Sequence, residues 1–139
     1  MLGFDLIDAG RLYTRYFHER YRQLNLTQCR ALLALAQNQG ITQSRLAELI
    51  TLDSAALGRI LDRLEVSRWA RRHPHPGDRR ARSLVITEEA RALLPFMWSV
   101  VAESQREALR GFSTEEIQFL MSVLERVLAN LRLCAGVVE

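Results

Sequence analysis

Apolar residues recur at three- and four-residue spacings along most of the chain, a pattern that is typical of amphipathic helices. The first such stretch covers residues 4–24. A second begins after Leu26, where Thr27 is a plausible N-cap, and is expected to end near Gly40. The N-terminal part of the chain is therefore predicted to contain two helices.

Two short helices are predicted to follow in quick succession. Thr42 can cap the first and Asp53 the second, with a brief break at residues 51–52. The second helix is expected to bury four apolar residues, Leu57, Ile60, Leu61 and Leu64. Two helices joined by a tight turn, the second exposing small and basic residues, predict a helix-turn-helix.

The pattern then changes to that of a β-hairpin. Residues 69–72 and 82–86 are predicted to form strands, the second with β-branched residues at its end. Two prolines and a glycine in the segment 73–80 are expected to forbid regular structure there and to favour a turn. The hairpin would then carry an arginine-rich tip, which is the form of a wing.

Two long helices complete the chain. Thr87 is predicted to cap the first, which Pro95 should kink or perturb, and Ser113 and Glu116 have the spacing of a capping box at the start of the second. The outer helices at both ends of the chain are apolar on more than one face, so we expect them to pack against a second subunit. The predicted fold is mainly α with a small β-hairpin: a winged helix-turn-helix with N- and C-terminal dimerisation helices.

Positive charge is concentrated in one part of the chain. The formal net charge of the 139 residues is +3, but residues 59–82 alone carry +5. A local excess of this kind attracts polyanions such as nucleic acid, although a solvated arginine-rich loop would look the same.

Several other classes of protein are disfavoured. No apolar run is long enough to span a membrane and no secretory signal is evident, so a soluble cytoplasmic protein is expected. Cys29 and Cys134 are read as buried structural thiols, and His73 and His75 as wing residues that bind no metal. The chain has no glycine-rich phosphate loop or nucleophile elbow, so neither an enzyme nor a cofactor is expected.

Several segments together resemble the MarR family of bacterial transcription factors. They are Leu26-Thr27-Gln28, residues 41–49, residues 52–65, and Asp78-Arg79-Arg80 with Thr87 at the family's spacing after it. The resemblance covers residues 6–132 and implies one MarR-like domain over 1–139, with a DNA-binding lobe at about 27–87 and dimerisation helices at about 1–24 and 110–139. Two positions depart from it: Arg68 replaces the usual glycine before the wing, and Gly58 replaces a hydroxyl residue.

The resemblance implies a transcriptional regulator, most often a repressor, that binds double-stranded DNA sequence-specifically. As a homodimer it would bind an inverted repeat whose half-sites are about 34–36 Å apart. A helix in the major groove could use Arg59 to read guanine and Arg63 to meet phosphate. By similarity to the family, Arg80 enters the minor groove while Asp78 holds either its guanidinium or the loop. The complete expected DNA-binding set is Thr42, Gln43, Ser44, Ser54, Ala55, Gly58, Arg59, Arg63, Arg72, Asp78, Arg79, Arg80 and Arg82.

MarR-like proteins commonly release DNA when they bind small, often phenolic, molecules. Tyr13, Tyr16 and Phe17 could line such a pocket here, or could simply form the dimer core. The alternative function is a dimeric winged-helix adaptor that binds protein and not DNA. Basic residues in both the predicted recognition helix and the wing argue against it.

Overall fold

The computed structural model describes residues 1–136, which form helices and one β-hairpin. The elements in chain order are α1 (Leu2–Arg20), α2 (Leu26–Gln37), α3 (Gln43–Leu49), α4 (Ser54–Val66), β1 (Ala70–His75), β2 (Asp78–Ile86), α5 (Glu88–Ala108) and α6 (Thr114–Cys134). The chain divides into two compact units, residues 1–102 and the part that begins at residue 103. The predicted fold class is confirmed. Among the described residues, no helix is both long and apolar enough to span a membrane.

Side-chain caps begin four of the helices at the predicted residues. Thr42 accepts a hydrogen bond from the Arg45 N–H, and Asp53 accepts one from the Ala56 N–H at 2.7 Å. Thr87 likewise accepts from Ala90. Each cap satisfies a backbone donor that the first helical turn leaves without an intrahelical partner.

The capping box at the start of α6 is also confirmed. The Glu116 N–H donates to the Ser113 hydroxyl, and the Ser113 N–H donates to the Glu116 carboxylate. The hydrogen bonds from Ser113 to the charged carboxylate lower the pKa of Glu116.

The predicted cap of α2 is wrong. Asn25, not Thr27, precedes the helix, and its side-chain oxygen accepts a hydrogen bond from the Gln28 N–H at 3.0 Å. Thr27 lies inside the first turn. The helix ends at Gln37, and Gly40 follows in a turn with φ +82°.

Leucines from several elements form the core of the first unit. Leu57, Leu61 and Leu64 of α4 have at most 1% of their surface exposed, and Leu32 of α2 and Leu84 of β2 are fully buried. Ile60 packs against this core but is only partly buried, in contrast to the prediction. One face of α4 is thus held against the core.

The hairpin is longer than the sequence pattern indicates. Strand β1 continues through Pro74 to His75 and pairs antiparallel with β2, which already begins at Asp78. The prediction that residues 73–80 lack regular structure is therefore wrong, except at Pro76 and Gly77, which form the turn. Pro74 is tolerated because β1 is an edge strand with an irregularity between Pro74 and His75.

A short segment after α2 ties the hairpin to the helices. The Gly40 N–H donates to the Leu84 carbonyl, and the Leu84 N–H donates to the Ile41 carbonyl, both at 2.9 Å. Thr42 forms a further bridge with Ser83. Strand β2 is therefore paired on both of its sides, which anchors the wing at its base.

Helices α3 and α4 both end in a Schellman motif with a residue other than glycine in the left-handed position. Thr51 has φ 58° after α3, and Arg68 has φ 61° after α4. The Leu52 N–H bonds to the Ala47 carbonyl and the Trp69 N–H to the Leu64 carbonyl, as the motif requires. Helix α4 therefore ends in the usual motif although Arg68 replaces the family's glycine, and the arginine backbone is strained there.

Helix α6, in the second unit, exposes large apolar side chains. No residue of α6 is buried, and its exposed side chains include Phe119, Leu128, Leu131 and Leu133. Cys134 is also exposed, so the expectation of a buried thiol is wrong for this cysteine and holds only for Cys29. The last residues of the predicted dimerisation segment, 137–139, lie outside the described residues.

Helix α1, in the first unit, also exposes large apolar side chains. They are Leu2, Phe4, Ile7 and Leu12. The helix ends at Arg20, four residues before the predicted end of the first helical stretch.

We expect Thr51→Gly and Arg68→Gly to stabilise the protein, since glycine adopts positive φ without steric strain. Each should raise the free energy of unfolding by about 1 kcal/mol, or the melting temperature by roughly 3 °C. Thr51→Gly should give the larger gain because a β-branched residue is the more strained in this conformation. Thermal unfolding at a fixed protein concentration measures both changes.

Gly40→Ala is the matched control. Gly40 also has a positive φ, and an added Cβ would meet no atom closer than 3.8 Å, so alanine there introduces strain without a clash. Its melting temperature should fall. A lower melting temperature for Thr51→Gly would show that the Thr51 side chain contributes more than its backbone strain costs.

Candidate nucleic-acid interface

Helix α4 presents a polar face opposite its leucines. Ser54, Ala55, Arg59 and Arg63 are exposed, and Gly58 is partly exposed. Neither arginine makes an ion pair with any described residue. The structure therefore brings the expected α4 residues to the surface, with two cations available for an external anion.

The start of α3 lies close to this face. The amide nitrogen of Gln43 would be 3.5 Å from a Cβ built on Gly58, so the Gln43 side chain reaches the α4 backbone. The Thr42 hydroxyl accepts the Arg45 N–H and lies 3.3 Å from the Ser44 hydroxyl. Residues 42–44 thus join the polar face of α4.

The tip of the hairpin exposes the expected arginines. Arg79, Arg80 and Arg82 are exposed and form no ion pair with described residues. Asp78 accepts a hydrogen bond from the backbone N–H of Arg80 at 2.9 Å. Of the two roles open to Asp78, the structure shows the one in which it shapes the loop. The Arg80 guanidinium remains available.

Arg72 is placed differently from the other arginines, because its guanidinium faces α4. Its Nη1 lies 2.8 Å from the Asp62 carboxylate and 2.9 Å from that of Glu65, and its Nη2 donates to the Gly58 carbonyl at 2.8 Å. Its Nε is buried without a partner among the described residues. The predicted DNA contact by Arg72 thus competes with three intramolecular contacts, which we call the Arg72 bridge.

The histidines and cysteines form no evident reactive site. Among the described residues, no three histidine, cysteine or acidic side chains are grouped to hold a metal ion. In the wing, the His75 ring accepts a hydrogen bond from the Gly77 N–H at 3.0 Å. Burial raises the pKa of the Cys29 thiol to about 11, which keeps it protonated at neutral pH.

The first unit also contains an open cavity of about 520 Å³, within the range of small-molecule pockets. Its walls are mainly apolar and belong to α1, α2, α5 and the end of α3; the lining residues are Tyr13, Leu26, Arg30, Leu33, Ala34, Gln37, Asn38, Leu49, Ile50, Trp98 and Val101.

Only one of the three expected ligand residues lines this cavity. Tyr13 does, but Phe17 is completely buried in the core and Tyr16 is not part of the wall. Sequence reasoning missed Arg30 and Trp98. Their separation along the chain left no local signal that they share a wall.

A helix-turn-helix followed by a β-hairpin, with free arginines on the second helix and on the hairpin, defines a winged-helix protein. The family model of the MarR family matches residues 24–81. This match agrees with the family that the sequence resemblance indicated.

Solved structures share this fold over nearly the whole chain. The transcriptional regulator SlyA is 24% identical with a TM-score of 0.89, and the match covers 99% of each chain. A probable transcriptional regulator from Pseudomonas aeruginosa is 27% identical with a TM-score of 0.83, covering 91% of this chain and 96% of that one. A mutant MarR from E. coli, complexed with operator DNA, is 25% identical with a TM-score of 0.82, covering 91% and 93%. The chain thus has the fold of MarR-family transcriptional regulators.

We predict that Arg72→Ala lowers the free energy of unfolding by about 1–3 kcal/mol, since it leaves two carboxylates and a carbonyl without their charged donor. Arg72→Lys should recover only part of this loss because one ammonium cannot reproduce the fork of a guanidinium. Urea unfolding measures both changes. Arg71→Ala is the matched control: it removes an exposed arginine from the same strand and should leave stability unchanged. Equal stabilities for Arg71→Ala and Arg72→Ala would contradict a structural role of the Arg72 bridge.

Proposed function

We propose that this protein is a sequence-specific transcriptional regulator that binds double-stranded DNA in the cytoplasm of a bacterium. The observation that carries the proposal is a set of exposed arginines on the two elements that contact DNA in winged-helix proteins. None of them forms an ion pair with a described residue; they are Arg59, Arg63, Arg79, Arg80 and Arg82. Their charge favours an anionic partner over an ordinary protein surface.

In this proposal α4 enters the major groove, where Arg59 reads a guanine and Arg63 meets a phosphate. Ser54, Ala55 and Gly58 let the helix lie close to the bases, and Thr42 and Ser44 contact the DNA backbone. Arg80 enters the minor groove, held by the loop that Asp78 shapes, while Arg79 and Arg82 contact phosphates. The Arg72 bridge gives Arg72 a positioning role between helix and wing.

A second copy of the chain is the proposed cover for the apolar faces of α1 and α6. Both helices expose large apolar side chains, more than a lone soluble chain normally leaves in water. We assign residues 1–24 and 110–139 to dimerisation and 27–87 to the DNA-binding lobe. A two-fold dimer would present two recognition helices to an inverted repeat with half-sites about 34–36 Å apart.

The cavity is the proposed effector site, and repression relieved by the effector is the proposed mode of regulation. Apolar walls with the aromatic rings of Tyr13 and Trp98 suit an aromatic molecule, and the Arg30 guanidinium suits an acidic group on it. We therefore expect a small phenolic acid. Its binding would change the position of the DNA-binding lobe and release the DNA.

We expect Arg59→Ala and Arg80→Ala each to weaken the binding free energy for a selected operator by about 1–3 kcal/mol without unfolding the protein. Binding-site selection from a randomised duplex pool supplies the operator, and gel-shift titration measures affinity. The wild-type affinity should fall steeply as salt rises because bound phosphates release their counterions. Arg72→Ala should leave that slope unchanged, since Arg72 is not assigned a phosphate.

Arg106→Ala is the charge-matched control, an exposed arginine on a different element whose loss should not change affinity. Full operator affinity in both Arg59→Ala and Arg80→Ala would end the assignment of these residues. A wild-type protein that selects no sequence with two-fold symmetry would favour the protein-binding adaptor.

For the effector, we predict that 4-hydroxybenzoate changes the fluorescence of Trp98 in a saturable way in a Trp69→Phe background, where Trp98 is the remaining tryptophan. Arg30→Gln should weaken this binding about tenfold or more, since it removes the charged donor to the carboxylate. Operator affinity should fall when the acid is added.

Ala34→Phe fills the cavity and provides the control, because Ala34 is part of its wall. This variant should bind operator but not respond to the acid. An unchanged response in Ala34→Phe would place the effector elsewhere.

A further inference from the structure

Gly58 occupies an interior position of α4, where glycine disfavours the helix relative to alanine. The cost is not explained by backbone conformation. Gly58 is not among the described glycines with positive φ, which are Gly40, Gly111 and Gly136. An L-residue could therefore adopt the same backbone.

Packing within the chain does not require glycine either. Among the described residues, a Cβ at position 58 would meet only the Gln43 amide nitrogen, at 3.5 Å, which is an ordinary van der Waals contact with the end of a flexible side chain. No backbone atom of those residues outside the helix lies within 4 Å of this position. An alanine would thus fit the free protein.

The space above Gly58 is bordered by groups that can recognise a ligand. The Gln43 side chain is half-buried, and among the described residues its amide has no hydrogen-bond partner. The Gly58 carbonyl is held by Arg72 Nη2 at 2.8 Å, which fixes this turn of α4. The Gln43 amide, which can both donate and accept hydrogen bonds, therefore lies beside the backbone of Gly58, where α4 carries no side chain.

We propose that Gly58 and Gln43 form a base-reading notch, in which the edge of an A·T pair approaches the α4 backbone and the Gln43 amide pairs with adenine. Gln43 is then a specificity-determining residue and not a phosphate contact. The inference rests on the proposed function and deepens it. A glutamine amide can donate to N7 and accept from the N6 amino group of adenine in the major groove. A methyl group at position 58 would occupy the space that the base edge needs.

The test compares Gly58→Ala with wild type in three measurements: melting temperature, affinity for the selected operator, and affinity for a duplex of unrelated sequence. We expect the melting temperature to be unchanged or higher. Operator affinity should fall roughly 5- to 150-fold, the discrimination that one good side-chain–base pair provides, while affinity for the unrelated duplex stays the same. A merely structural role for the glycine would move stability and affinity down together.

Gln43→Ala should lose the preference for A·T at one position in each half-site. The double variant should bind little more weakly than either single variant, because both changes remove the same contact. Arg106→Ala is the control, because Arg106 is an exposed residue of α5 that lies outside the segments assigned to dimerisation and to DNA binding. It should leave operator affinity unchanged.

Two results overturn the inference: a lower melting temperature for Gly58→Ala, or wild-type operator affinity in both Gly58→Ala and Gln43→Ala. These results are distinguishable from failure of the proposed function. In that case the wild-type protein itself would select no operator from the randomised pool.

Discussion

The burial of Leu57, Leu61 and Leu64 is the interaction on which the rest of the arrangement depends. Each fully buried leucine contributes about 1.5–3 kcal/mol, whereas an exposed polar residue on the opposite face contributes little. The leucines therefore decide how α4 is rotated about its axis. Arg59 and the neighbouring polar residues face outward as a consequence. Since their side chains are not needed for the core, they are available to contact a partner.

Local chemistry made most of the helix starts predictable, because a capping side chain bonds to an N–H only two or three residues away. The failure at α2 has the same origin: Asn25 and Thr27 are both good capping residues, so local chemistry does not distinguish them, and Asn25 is the cap in the structure. The end of β1 was not predictable from Pro74. A proline is excluded only from a strand that pairs on both sides, and the pairing of β1 is set by tertiary contacts.

The candidate site shows the same division. Helical periodicity was enough to predict which α4 residues are exposed. Nothing in the run of arginines distinguishes Arg72 from its neighbours, because its partners Asp62 and Glu65 lie on another element. The cavity was still less accessible to prediction. Its wall combines residues from four helices, so the pattern along any one helix contains only a part of it.

The position of the cavity relative to α4 gives the proposed regulation a short physical route. Leu49 and Ile50 belong to the cavity wall, and the next residue is Thr51, the strained left-handed turn from which the chain enters α4. A shift of Ile50 cannot be absorbed by a flexible loop, since Leu52 is hydrogen-bonded back to Ala47 and Asp53 already caps α4. The Arg72 bridge in turn connects α4 to strand β1 of the wing. A ligand that displaces the end of α3 would therefore move helix and wing together, and the two groove contacts would be lost as one unit.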